Sequence, residues 1–171
     1  MNTAYVYLQL YKLFDNCTPI KADCGQLCGK ACCQGNGGMY LFPGEKKVYE
    51  LLSPTWLEIS DSDFNYTCNG KKVNVPFASC SGSCDRYQRP LACRIFPLTP
   101  ILDSNGKINI ITDPRAKSVC PLSKGLHTNE YNRKFVKNIE RSFKLLMHNK
   151  CFAEYMKAYT EYINDFKRFY N

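Results

Sequence analysis

The strongest constraint on this chain is how its 11 cysteines are distributed. Eight fall into two groups, Cys24, Cys28, Cys32, Cys33 and Cys80, Cys84, Cys93, Cys120, while Cys17, Cys68 and Cys151 stand alone. Clustered thiols either pair with one another or present themselves to a metal. The count is odd, so a complete disulfide framework leaves one thiol over. Compartment bears on the choice. Residues 1–13 are interrupted by Gln9 and Lys12 and lack a basic start or a small-residue cleavage site. No apolar run is long enough to span a bilayer. The expected location is therefore the cytoplasm, with no membrane partner, where clustered cysteines bind metal more often than they pair. A secreted disulfide protein is the competing reading.

A metal requires deprotonated thiolates converging on one point. In the first group the spacers are short and Gly25 and Gly29 let the chain wrap an ion without strain. If this stretch is helical, Cys24, Cys28 and Cys32 share a face. Cys32 and Cys33 are adjacent, point in different directions, and suit two neighbouring sites. In the second group Gly82 loosens the first spacer, and Arg89 and Arg94 flank Cys93. Four thiolates around zinc or a [4Fe–4S] cluster leave a net charge of about −2. Guanidiniums at Arg89 and Arg94 would offset that charge and hydrogen-bond to sulfur; surface salt bridges are the plainer alternative. All-thiolate sites suit zinc and [4Fe–4S] equally. Eight ligands make two sites, or one with spare thiols. Cys17, Cys68 and Cys151 read as small buried hydrophobes. His127 follows Cys120 by seven residues and could complete a site, although such a residue is more often a surface or capping group.

The rest of the 171-residue chain predicts a single α+β domain. A helical segment (1–22) precedes a cysteine-rich, loop-rich metal-binding core with short β-hairpins (23–122), then a C-terminal antiparallel helical hairpin (128–171). Residues 4–14 carry Val6, Leu10, Leu13 and Phe14 at helical spacing. Residues 39–44 read as a strand and 45–52 as helical turns. Asn69-Gly70 predicts a hairpin between 64–68 and 71–77. A second hairpin turns at 103–106, with arms 95–102 and 107–112. From Asn132 apolar residues recur every three or four positions, with Thr128 or Asn129 as cap. His148-Asn149 breaks the pattern, and a second helix starts near Cys151.

The formal charge is +8, and residues 131–171 supply +5 of it, with 9 Lys or Arg against 4 Asp or Glu. This basic tail suits an acidic protein or a nucleic acid, or is simply a solvated helix face. No P-loop, nucleophile elbow or dinucleotide fingerprint is present.

The tandem Cys32-Cys33 and the run Cys84-x-x-Tyr87-x-Arg89-Pro90-x-x-Cys93-Arg94-x-Phe96-Pro97 resemble the YkgJ-type cysteine-cluster family, a zinc- or iron-chelating domain. The stretch 38–45 is similar to a clostridial branch of it. The resemblance spans roughly 22–122 and implies metal binding through all eight grouped cysteines. Some proteins with a similar motif are flagellin lysine N-methylases; this chain shows no segment for that cofactor. Three functions are therefore in play. They are a metal-binding protein without catalysis, an Fe–S-dependent redox or protein-modifying enzyme (lysine N-methylase-like), and a zinc-stabilised nucleic-acid-binding module.

Overall fold

The computed structural model describes residues 3–33, 37–82 and 85–170. Chain order is α1 (Thr3–Lys12), α2 (Cys24–Leu27), β1 (Gly38–Tyr40), α3 (Lys46–Leu52), β2 (Leu57–Ser60), β3 (Asn65–Cys68), β4 (Lys71–Asn74), β5 (Phe77–Cys80), α4 (Leu91–Ile95), β6 (Leu98–Leu102), β7 (Ile108–Thr112), α5 (Leu122–Gly125), α6 (Arg133–Leu146) and α7 (Lys150–Tyr170). The class is α+β. All strand pairing is antiparallel: β1-β5-β2 form a three-stranded sheet, and β3-β4 and β6-β7 are hairpins.

Both predicted hairpins are present. Asn69 (φ 52°) and Gly70 (φ 74°) both occupy the left-handed region, as the two-residue turn with the correct twist requires. At the second turn Asp103 Oδ1 accepts from the Asn105 and Lys107 amides at 2.8 and 2.9 Å.

The core is largely aromatic and lies between the strands and the helices. Phe42 is 1% exposed and meets Phe143, Phe152, Tyr155 and Tyr159 with ring centroids 5.0–6.1 Å apart. Along α7, Phe152, Tyr155, Met156, Tyr159 and Ile163 are buried at helical spacing. In α6, Phe135, Ile139, Phe143 and Leu146 do the same. The expected helical pair is corrected in its packing. The main partners of α6 are β7 and β6, and those of α7 are β3 and β6, because each helix carries an apolar stripe wide enough to cover a hairpin. The cap of α6 is also corrected. Asn132 accepts from the Lys134 amide at 3.0 Å, while Thr128 opens a separate 3₁₀ turn, Thr128–Glu130.

Glu45 ties three elements together. Its carboxylate is fully buried and accepts from Tyr11 Oη (2.6 Å) on α1, the Phe42 amide (3.0 Å) and the Leu91 amide (2.6 Å) at the start of α4. Burial pushes its pKa above the ordinary 4.5, and the three donors oppose that rise.

Cys68 and Cys151, expected to be separate buried thiols, form a disulfide with Cα atoms 5.2 Å apart, within the usual span of such a bond. It joins the end of β3 to the start of α7. Their separation of 83 residues leaves no local pattern to announce the pair. No described helix is long and apolar enough to cross a membrane.

Candidate metal centre

The first cysteine arm is a tight coil. Asp23 caps α2 by accepting from the Gly25 amide at 3.0 Å. One turn later the Cys28 thiol donates to the Cys24 carbonyl at 3.4 Å. Gly29 (φ 57°) and Lys30 (φ 60°) reverse the backbone in the left-handed region. A 3₁₀ turn, Ala31–Cys33, then places Cys32 Sγ and Cys33 Sγ 3.8 Å apart. No residue from Lys21 to Cys33 is buried.

The opposing cysteines come from firmly held segments. Cys80 ends β5, opposite Leu57, and its amide donates to the Gly37 carbonyl at 3.0 Å. Cys93 sits in α4, whose first amide is held by Glu45. Cys120 follows a 3₁₀ turn, Pro114–Ser118, that Asp113 caps. Its amide donates to the Ala116 carbonyl at 2.8 Å, and the residue is 9% exposed.

Arg94 positions this side. Its Nε donates to the Arg89 carbonyl (2.8 Å) and its Nη2 to the Tyr87 carbonyl (2.6 Å). Its Nη1 donates to the Tyr11 carbonyl (3.2 Å) and to Asp15 Oδ1 (2.8 Å). The guanidinium also lies 4.3 Å over the Tyr11 ring. These bonds gather the backbone before Cys93 and fasten it to α1. Arg89 stands closer to the thiols electrostatically, since its charge favours the Cys32 thiolate.

The cysteines line two adjoining cavities. The first, about 260 Å³, is lined by Cys24, Cys28, Cys32, Cys33, Cys93 and Cys120, and also by Cys17. The second, about 250 Å³, is lined by Cys32, Cys33, Cys80 and Cys93. Arg89, Phe96 and Val119 border both. Seven of the eight grouped cysteines thus face this space, and Cys84 lies outside the described residues. Among the described residues no three thiol, imidazole or carboxyl groups stand close enough together to hold an ion as they are.

The thiols feel one another. Burial, then the neighbouring Cys120 and Cys28, raise the pKa of Cys24. Burial raises Cys120, and the Leu122 and Ser123 amides oppose it. Cys32 is lowered, chiefly by its hydrogen bond with Cys33.

Cys17, isolated in the sequence although only seven residues before Cys24, is 5% exposed and lines the first cavity. The histidines stand elsewhere. His127 borders a different, lysine-rich cavity with Lys117, Lys124 and Lys167. His148 Nδ1 lies 3.0 Å from the Lys144 carbonyl at the end of α6. On the basic C-terminal helices Lys144, Lys157 and Arg168 pair with Glu140, Glu154 and Asp165 of their own helix.

Comparison with protein-family models, curated proteins and solved structures gives no match.

Proposed function

We propose that this chain is a metal-binding protein that holds zinc or a [4Fe–4S] cluster through Cys24, Cys28, Cys32, Cys33, Cys80, Cys84, Cys93 and Cys120. One observation carries the reading: thiols from separate segments, up to 96 positions apart between Cys24 and Cys120, line one connected space. The donor set fits, because soft thiolates select zinc or iron–sulfur over hard cations. A bound centre would supply positive charge to neutralise crowded thiolates and, if iron–sulfur, electron transfer. The chain's own contribution is positioning. Glu45 and Arg94 fix the segment bearing Cys93, while Gly29 leaves the first arm free to close. Closure on metal uptake accounts for thiols that adjoin without converging, since such sites commonly form as the metal binds. Arg89 offsets the charge of the centre. The motif likeness to the cysteine-cluster family agrees with this reading.

The test is metal analysis with optical and EPR spectra on protein prepared anaerobically with iron and zinc supplied. The expected result is stoichiometric metal, lost when Cys28 or Cys93 is changed to Ser and kept in Cys151→Ser. Metal-free protein with its grouped thiols fully titratable overturns the proposal.

A further inference from the structure

We propose that the cavity between α5 and the end of α7 binds a small phosphate monoester. This cavity, about 410 Å³, is bordered by no cysteine, so it is separate from the thiol-lined space. Three lysines border it. Lys117 comes from the 3₁₀ turn Pro114–Ser118, Lys124 from α5, and Lys167 from the last turn of α7. Segments up to 50 positions apart thus bring charge of one sign to a single hollow.

The number of uncompensated charges decides the class of ligand. Elsewhere on α6 and α7, Lys144, Lys157 and Arg168 each pair with a carboxylate one turn away. Among the described residues, Lys124 and Lys167 have no carboxylate within ion-pair distance. Lys117 is engaged in another interaction, so its charge is not counted. Asp113 is the carboxylate residue on this wall. It is 1% exposed, and Arg115 donates to both its oxygens, Nε to Oδ1 at 2.9 Å and Nη2 to Oδ2 at 2.6 Å. Two ammonium charges are left. A phosphate monoester carries about −1.5 to −2 at pH 7 and matches both. A carboxylate or a phosphodiester carries a single charge and leaves one lysine uncompensated. Ammonium donors also suit phosphate as charge-assisted partners. The rest of the wall suits the body of an ester: Pro114 is buried, and Leu126 packs against the core. At about 30 Å³ of liquid per water, the cavity has room for about fourteen waters, enough for an ester such as phenyl phosphate.

The full chain, labelled with ¹⁵N, is titrated at constant ionic strength with phenyl phosphate, inorganic phosphate, dimethyl phosphate and benzoate. Phenyl phosphate is expected to shift the amides of Gly125, Leu126 and His127 saturably, with a Kd of about 1 mM or tighter. Inorganic phosphate is expected to shift the same amides with at least about threefold weaker affinity, because it lacks the body. Dimethyl phosphate and benzoate are expected to bind at least about tenfold more weakly. Lys124→Gln and Lys167→Gln should each weaken phenyl phosphate at least about fivefold, and Lys124→Arg should keep most of the affinity. Lys137→Gln, at an exposed position of α6 that does not border the cavity, should leave it unchanged. The proposal is overturned by any of four results. They are no saturable shift with phenyl phosphate, inorganic phosphate or the single-charged anions binding as tightly, an unaltered affinity in both Lys124→Gln and Lys167→Gln, or an equal loss in Lys137→Gln. That last result would make the charge a diffuse basic face suited to a nucleic acid or an acidic protein.

Discussion

The aromatic half of the molecule and its first cysteine arm are held together by different means. In the core that contains Phe42, six fully or almost fully buried residues of α6 and α7 gather: Phe135, Ile139, Phe143, Phe152, Tyr155 and Met156 are each no more than 2% exposed. From Lys21 to Cys33 nothing is buried, and Leu27 is 67% exposed. Hydrophobic burial fixes the first region. The second is defined chiefly by turns, one cap, adjacent thiols and the half-exposed Asp23–Arg86 ion pair, so its order is expected to come from what its sulfurs grip. The cysteines opposite it, Cys93 and Cys120, belong to the well-packed half. The centre would thus join a rigid wall to a closing arm.

The comparison is broken most directly from the aromatic side. Phe42→Ala is expected to cost about 3–5 kcal/mol, read as a lowered midpoint of urea unfolding; a cost under about 1 kcal/mol would show that the two halves do not differ as described. Next comes the covalent tie within the packed half. Cys151→Ser is expected to cost about 2–4 kcal/mol in the oxidised protein while leaving metal content intact. Loss of metal in that variant would tie the disulfide to the centre.

Glu45→Gln should cost about 1–3 kcal/mol, since the amide nitrogen, in place of either carboxylate oxygen, must face a backbone N–H from which it cannot accept. It also has a pH signature. Because the folded carboxyl is raised above 4.5, the folded state holds the proton longer than the unfolded chain. The contribution of Glu45 is then fully present below about pH 4.5 and declines as pH rises through the folded value. Glu45→Gln should flatten that decline in a series of unfolding curves, and an unaltered pH profile would contradict the assignment.

The smallest effect on global unfolding belongs to the arm. Cys28→Ser in metal-free protein should change unfolding stability by no more than about 0.5 kcal/mol, yet abolish the protection of residues 21–33 that metal confers in hydrogen exchange. Metal loading that protects the aromatic half and leaves the arm unprotected would invert the account.

Local chemistry made some elements readable in advance and geometry hid others. Asn69-Gly70 names its turn because few residue pairs tolerate two left-handed conformations. The break before α7 is marked by His148-Asn149. The sheet β1-β5-β2 is another matter: Gly38–Tyr40 pairs with a strand beginning at Phe77, and no turn residue encodes so distant a partner. The same distance concealed the Cys68–Cys151 bond. At the candidate site, residue type alone pointed to the grouped cysteines, while Met39 and Trp56, which line the second cavity, join them only once the sheet is assembled. Arg94 illustrates an intermediate case. Its place beside Cys93 suggested contact with sulfur; its four hydrogen bonds instead reach three carbonyls and Asp15, because backbone oxygens left open by the turn at 86–90 lie within its reach.

The bond between Cys68 and Cys151 turns the intervening chain into a closed ring that carries Cys80, Cys93 and Cys120. A protease cutting at the exposed turn 104–106 would yield two pieces that migrate as one on a non-reducing gel and separate once a reductant is added. Both pieces would stay anchored through α7, so a single nick need not release either wall of the thiol-lined space.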